Sequence, residues 1–455
     1  MLDKFIATAL ITVIGLSFVI GFPEGPIAIA FASVLAGGCL FLFRRATDES
    51  GTVTRIFLLA LALRMLFGIF VYMNNFQDFF GGDANTYHSN GSGWVDVWVE
   101  GVTPSQRLLY QNRAESGAGW GMNYLVAGIY MMTGKSMFAG QSFCAVFGAA
   151  TAALVFFCSR MIYNNLRVAK IAAFAVAIFP SFIIWSGQLM KDGLIIFLLV
   201  STMILTMRLS AKFNPIMLIL MVLCLFGIFS LRFYIFYMVL VAVVGSYVVG
   251  LAKSNTSIVF RLLLIAAMGI GLTYFGPGEI ITAQLTTFGN LERMQLSRSD
   301  LAKRANSGFN EERDISTVEG ALTAAPIGFS YLMLAPFPWE AQNLRQAITI
   351  PEVLIWWTMI PFILIGLGYT IKNRTRSALP ILIFSLLLTI AYSIFQGNVG
   401  TAYRQRTQIQ VFLFIFVAVG WTVYKERKEN KRMIMAARQR EIDSRLKHGF
   451  QPRQT

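Results

Sequence analysis

Apolar stretches close to bilayer length recur along this chain, and no other feature limits its fold so strongly. Lipid offers backbone amides and carbonyls no partner, so each stretch must close its own hydrogen bonds as a helix. A crossing takes about 20 apolar residues. Stretches of roughly this length lie near residues 4–22, 26–43, 54–73, 137–158, 167–187, 190–208, 213–230, 232–251, 257–275, 351–371, 378–396 and 406–424. At 56% hydrophobic residues and a mean hydropathy of +0.62, the 455-residue chain is far more apolar than a soluble protein. It reads as all-α, a polytopic integral membrane protein with about 12 transmembrane helices and two larger extracytoplasmic segments carrying interfacial helices. The organisation is an N-terminal transmembrane hairpin (1–45), a transmembrane core (46–424) and a basic tail (425–455). The shorter apolar run from Trp120 to Thr133 is expected to be re-entrant or interfacial.

Charge orients these spans. Arg44, Arg45, Arg55, Arg160, Arg167, Lys170, Arg208, Lys212, Lys253, Arg261, Lys372, Arg374 and Arg376 flank alternate connections, and the tail from Lys425 carries ten Lys or Arg against four acids. Placing all of them in the cytoplasm satisfies the positive-inside rule with one alternating path and leaves both termini inside. Segments 74–119 and 276–350 then lie outside, and both are net acidic. The net charge of +15 is therefore a topological signal and not a nucleic-acid footprint. The first span is expected to be a retained helix, since no small-residue cleavage site follows it. Cys39, Cys144, Cys158 and Cys224 lie in or at the ends of spans and have neither zinc spacing nor the look of a disulfide framework.

Polar chemistry concentrates in a few places. Residues 76–91 interrupt the spans with a glycine-flanked motif, Gly81-Gly82-Asp83-Ala84-Asn85-Thr86-Tyr87-His88, just after the third span. A carboxylate at the bilayer surface beside glycines suits a general base, with Asp78 as a weaker candidate; Asp83 could equally cap a helix or close an Asx-turn. The second external segment carries a charged stretch, Glu292 to Glu319, expected to be a solvated helical loop. Between the last two spans, Arg404 and Arg406 lie on the side where basic residues are disfavoured, so an anionic group should hold them. A lipid phosphate or pyrophosphate is one such group; external acids and headgroups are others. Lys191 and Asp192 open a span and either pair with each other or line the same cavity as Asp83. Arg64, in the middle of the third span, is a site candidate or a structural ion-pair member.

This order of features resembles the GT-C superfamily of polyprenyl-phosphate-sugar-dependent glycosyltransferases, which includes protein O-mannosyltransferases and the aminoarabinose transferases of lipid A. The matching elements are the Gly82 to His88 loop, Met132-Thr133-Gly134-Lys135-Ser136, a span closing on Arg160, Pro180-Ser181, Lys191-Asp192-Gly193 and the Gly397 to Arg406 stretch of exopolysaccharide-cluster members. The pattern runs from about Thr54 to Tyr424. The chain departs from it in an extra pair of spans, Phe5 to Phe43, and in a lone Asp where several families have a paired acid. The resemblance implies a bacterial inner-membrane enzyme that moves a sugar from a polyprenyl-phosphate donor to a glycan or glycolipid acceptor outside the cytoplasm. Asp83 would be the base, Arg404 and Arg406 would neutralise the leaving phosphate, and Lys191, Asp192 or Arg64 would assist. Tyr87 and His88 would contact sugar. A divalent metal is not required by the sequence, and no nucleic-acid partner is expected. An O-antigen-type polymerase or ligase, or a flippase or transporter of lipid-linked sugars, are the competing readings.

Overall fold

The computed structural model describes residues 1–103, 105–107, 119–247, 314–341 and 343–449, together with Glu292, Gln295, Leu296, Arg298, Ser299, Gly308 and Phe309. Helices dominate it. In chain order they are α1 (Leu2–Ile20), α2 (Glu24–Ala46), α3 (Ser50–Met73), α4 (Asp83–Val95), α5 (Trp120–Thr133), α6 (Met137–Tyr163), α7 (Leu166–Ile178) and α8 (Pro180–Ser186). Then come α9 (Lys191–Ala211), α10 (Pro215–Leu231), α11 (Phe233–Ser246), α12 (Val318–Leu334), α13 (Leu344–Asn373), α14 (Thr375–Phe395) and α15 (Val399–Gly449).

Among the described residues, eight helices are long and apolar enough to cross a bilayer, or nine if the bent pair α7–α8 forms one span. The chain is thus a multi-pass, all-α membrane protein with helical segments beyond the spans. About 12 spans are expected from the sequence, and eight or nine such helices stand among the described residues. The stretches at 213–230 and 232–251 form α10 and α11, of 17 and 14 residues, which Arg232 separates in an extended conformation. At 1.5 Å per residue the 17 residues of α10 reach about 26 Å, near the lower end of what a crossing takes, and α11 is followed by residues outside the described ones from 248. The stretch at 257–275 lies outside the described residues. Within segment 276–350, the described helix α12 is apolar and packs on α14 and α15. The last span does not end at 424 but continues as one helix into the basic tail.

Local sequence sets the helix ends. Ser136, Asn165, Asn214, Thr317 and Asn343 each accept a backbone N–H in the first turn of the helix they precede, satisfying amides that have no intrahelical partner. The packing centre is α6, whose small residues Ala145, Ala149, Ala152 and Ala153 are buried completely or nearly so. Small side chains let α2, α3, α7 and α9 approach it from several sides. The N-terminal hairpin α1–α2 packs onto α3 and α6, and the membrane half of α15 packs along α13 and α7.

One break is structural in origin. Pro180 has no N–H, so the carbonyl of Val176 loses its helical donor, and α7 and α8 bend by 55° there. Arg64 of α3 supplies the missing donors. Its guanidinium reaches the carbonyls of Val176 at 3.2 Å and Ala177 at 3.1 Å and the Ser186 hydroxyl at 2.8 Å. The intramembrane Arg64 therefore stabilises a broken helix by hydrogen bonding.

Candidate functional site

The helices deliver four distant polar motifs to one end of the bundle. The chain leaves α3 through a short 3-10 turn, Asp78–Phe80, and turns into α4 at Gly81 and Gly82. Their φ angles of +122° and +72° fall where an L side chain is strained, so the glycine pair makes the sharp turn. Asp83 is the first residue of α4. It does not cap the helix, since the N-cap is Gly82 and no side-chain cap bond forms. Its carboxylate sits instead 2.7 Å from the Arg404 guanidinium.

Arg404 also binds the first turn of α9. The Asp192 carboxylate accepts from Arg404 Nε at 2.7 Å and from a second Arg404 nitrogen. The other Asp192 oxygen accepts from Arg232 at 3.2 Å. Asp192 is wholly buried, whereas 39% of the Asp83 side chain is exposed. Arg404 therefore bridges an inner carboxylate and an outer one. Buried charge is tolerated only when paired and hydrogen-bonded, and the Asp192–Arg404–Arg232 group meets that condition. Lys191 is buried beside it, its ammonium 6.0 Å from the centre of the Tyr87 ring. Lys191 and Asp192 thus do not close a turn on each other; both lie in the first turn of α9, and Asp192 turns to the arginines. Trp185 of α8 stacks over the Arg404 guanidinium at 5.4 Å.

The motif on α4 splits between two faces. Tyr87 is one turn on from Asp83 and shares its face. Burial, reinforced by the Asp83 and Asp192 carboxylates, pushes the Tyr87 phenol up, so it serves as a donor and not as a base at neutral pH. His88 points elsewhere and meets the Tyr130 hydroxyl at 2.7 Å. Asp78 accepts from Asn85 at 2.9 Å and lies with His88 along a separate cavity. The two arginines in the first turns of α15 also diverge. Arg404 enters the carboxylate cluster, while Arg406 donates to the carbonyls of Met333 and Ala335 at the end of α12, at 3.1 and 2.9 Å. A guanidinium on the exposed carbonyls of a helix C-terminus is favourable in itself. Arg64 makes its bonds at the α7–α8 break, as described above.

Two participants escape sequence reasoning. Arg232 carried a usable signal: a lone basic residue between two apolar runs at an expected external end. Glu352 carried little, as a single acid after Pro351 at the edge of an apolar stretch. It is buried in α13 and binds the Ser181 hydroxyl and the Tyr403 hydroxyl, the latter at 2.7 Å. This second polar group holds the start of α15 against α8 and α13, which fixes the direction in which Arg404 leaves the helix. Of the Glu292 to Glu319 stretch, Arg298 is described and buried, whereas Arg293, Lys303, Arg304 and Arg313 lie outside the described residues.

Among the described residues no three His, Cys, Asp or Glu side chains gather as a metal site would require. Chemically, the cluster combines one accessible carboxylate with three cationic side chains, at the end of a membrane bundle. It can hold an anion and accept a proton at adjacent positions. No protein-family model matches this chain, and no curated protein matches it.

Proposed function

We propose that this chain is a membrane glycosyltransferase that moves a sugar from a polyprenyl-phosphate donor to a lipid-linked glycan, glycolipid or polysaccharide acceptor on the extracytoplasmic face. The observation that carries this reading is the Asp83–Arg404–Asp192 bridge, which sets an accessible carboxylate beside a guanidinium anchored from behind. A lipid-linked sugar is already activated, so two tasks remain: removing the acceptor proton and stabilising the departing phosphate. The acceptor oxygen bonds to the anomeric carbon as the bond from that carbon to the phosphate oxygen breaks. The electron pair leaves on the phosphate, and the acceptor proton passes to Asp83. Before donor binds, Asp83 is paired with Arg404; the incoming phosphate competes for the guanidinium and leaves the carboxylate available as base. Asp192 keeps Arg404 in place during this exchange, and Arg232 and Lys191 add positive charge behind it. Tyr87 donates a hydrogen bond into the same space.

The abundance of cations favours one second reading, a polysaccharide polymerase or ligase acting on a pyrophosphate-linked donor. Donor choice separates the two. Asp83→Asn and Arg404→Gln, each checked for membrane abundance, are assayed with monophosphate- and pyrophosphate-linked sugars. Loss of transfer in both variants with the monophosphate donor supports the first reading. Full activity of Asp83→Asn on the pyrophosphate donor, lost in Arg404→Gln, supports the second.

A further inference from the structure

We propose that the cavity on the opposite face of α4 is a carbohydrate subsite, which holds a neutral sugar unit of the acceptor glycan one or more units away from the reacting hydroxyl. This rests on the transferase reading of the Asp83 cluster. The cavity measures about 440 Å³ and is walled by Glu24, Tyr72, Asp78, Asn85, His88 and Lys135, among others. That is within the range of about 300–1,000 Å³ typical of small-ligand sites. Its walls are unusual in chemistry for a membrane bundle. They are rich in carboxylates, carboxamides and an imidazole, the groups that pair with sugar hydroxyls in both directions.

Helix geometry relates this cavity to the reacting groups. At 3.6 residues per turn, Asp83 and Tyr87 share one face of α4, and Asn85 and His88 share a face nearly opposite. One helix therefore presents a base on one side and sugar-type ligands on the other, about 10 Å apart through the helix. The glycine turn at 81–82 and Asp78 stand at the N-terminal end of that wall, where a chain of sugars passing around it would reach both faces. His88 is neutral at physiological pH, since burial holds its imidazole below the usual value, and its Nδ1 is engaged with Tyr130.

Charge sets the selectivity. Glu24 and Asp78 contribute two carboxylates, whereas the Lys135 ammonium is drawn to Asp96. Uronic acids are repelled and neutral sugars are accepted. Glu24 comes from the turn of the N-terminal hairpin, the part of the chain that lies outside the GT-C-like pattern. The extra pair of helices thereby contributes a recognition residue and not only an anchor.

The test is direct binding, independent of turnover. Full-length protein in lipid nanodiscs is examined by saturation-transfer difference NMR with glucose, galactose, mannose, N-acetylglucosamine and glucuronate. The expected result is a signal from at least one neutral sugar and none from glucuronate. Glu24→Gln and Asn85→Ala, both at exposed positions, weaken it by about tenfold, and Asp83→Asn retains it. Absence of every neutral-sugar signal, a signal unchanged in both cavity variants, or equal binding of glucuronate overturns the proposal. If the cavity binds sugar as expected while Asp83→Asn still transfers, the transferase chemistry falls and the subsite stands.

Discussion

Asp192 shows how much a single residue can organise. It is wholly buried, yet it fixes Arg404 and Arg232 at once, so removing its charge leaves the buried Arg232 without its carboxylate and Arg404 with Asp83 alone. Breaking a buried pair in this way costs about 3–5 kcal/mol. Asp192→Ala is therefore expected to lower unfolding stability by that order in detergent, measured by thermal or denaturant unfolding. Asp83→Asn, at the exposed end of the bridge, should change it far less. His88 gives a pH prediction of defined sign. Its folded-state pKa is lowered by burial, so its contribution is fully present above the unfolded value of about 6.5 and is lost as pH falls from there through the lower folded value. Protection of the α4 amides, taken relative to their intrinsic exchange rate, should fall on acidification through this range, and His88→Asn should flatten the response. At this scale the sequence was partly legible. Asp83 announced itself through the glycine pair that bends the chain. Arg232 and Glu352 did not, because a lone charge at a span edge looks like ordinary flanking until the fold supplies its partner.

Among elements, α13 and α15 approach each other closely at two glycines. A Cβ on Gly366 would lie 1.9 Å from the Phe416 carbonyl oxygen, and one on Gly420 would lie 1.9 Å from that of Phe362. These two glycines let the backbones approach as small residues do at other membrane helix interfaces. Gly366→Val must push the helices apart, and a loss of about 1–3 kcal/mol is expected from such overpacking. Thermal unfolding checks the loss, and transfer assays check whether Arg404, carried on α15, is displaced with it. Helix positions were readable from hydropathy, as was α5's shortness. At α10 and α11 the apolar content was legible but the extent of each helix was not, because hydropathy does not mark where Arg232 breaks the run. The role of Arg64 was hidden for a related reason: its partners are backbone carbonyls that Pro180 leaves without donors, and the sequence pattern does not say which helix will stand opposite the break.

At the scale of the whole molecule, the cluster lies at one end of α3 and the basic flanks at the other. Arg55 pairs with Asp3 at 2.9 Å and Lys170 with Glu49 at 3.3 Å, both at the start of α3, far from the turn into α4. This separation fits the proposed orientation, with Asp83 outside and the tail of α15 inside. Single cysteines at Asn75 and Gln439, both exposed, test it. A membrane-impermeant thiol reagent on intact cells should label the first and spare the second; the reverse pattern would invert the orientation. The all-α, multi-pass character was fully legible in the sequence, since lipid leaves the backbone little choice. The convergence of α4, α8, α9, the α10–α11 break and α15 at one cluster was not, because it depends on which helices pack together.

The measurement that bears most directly on the central claim is sugar transfer by purified wild type and Asp83→Asn, matched for folded protein, from a polyprenyl-phosphate-linked sugar to lipid-linked acceptor. Removal of a general base predicts a fall of about 10²–10⁴-fold in product formation. Undiminished formation of a new glycosidic bond by Asp83→Asn would contradict the assignment of this carboxylate and the mechanism built on it.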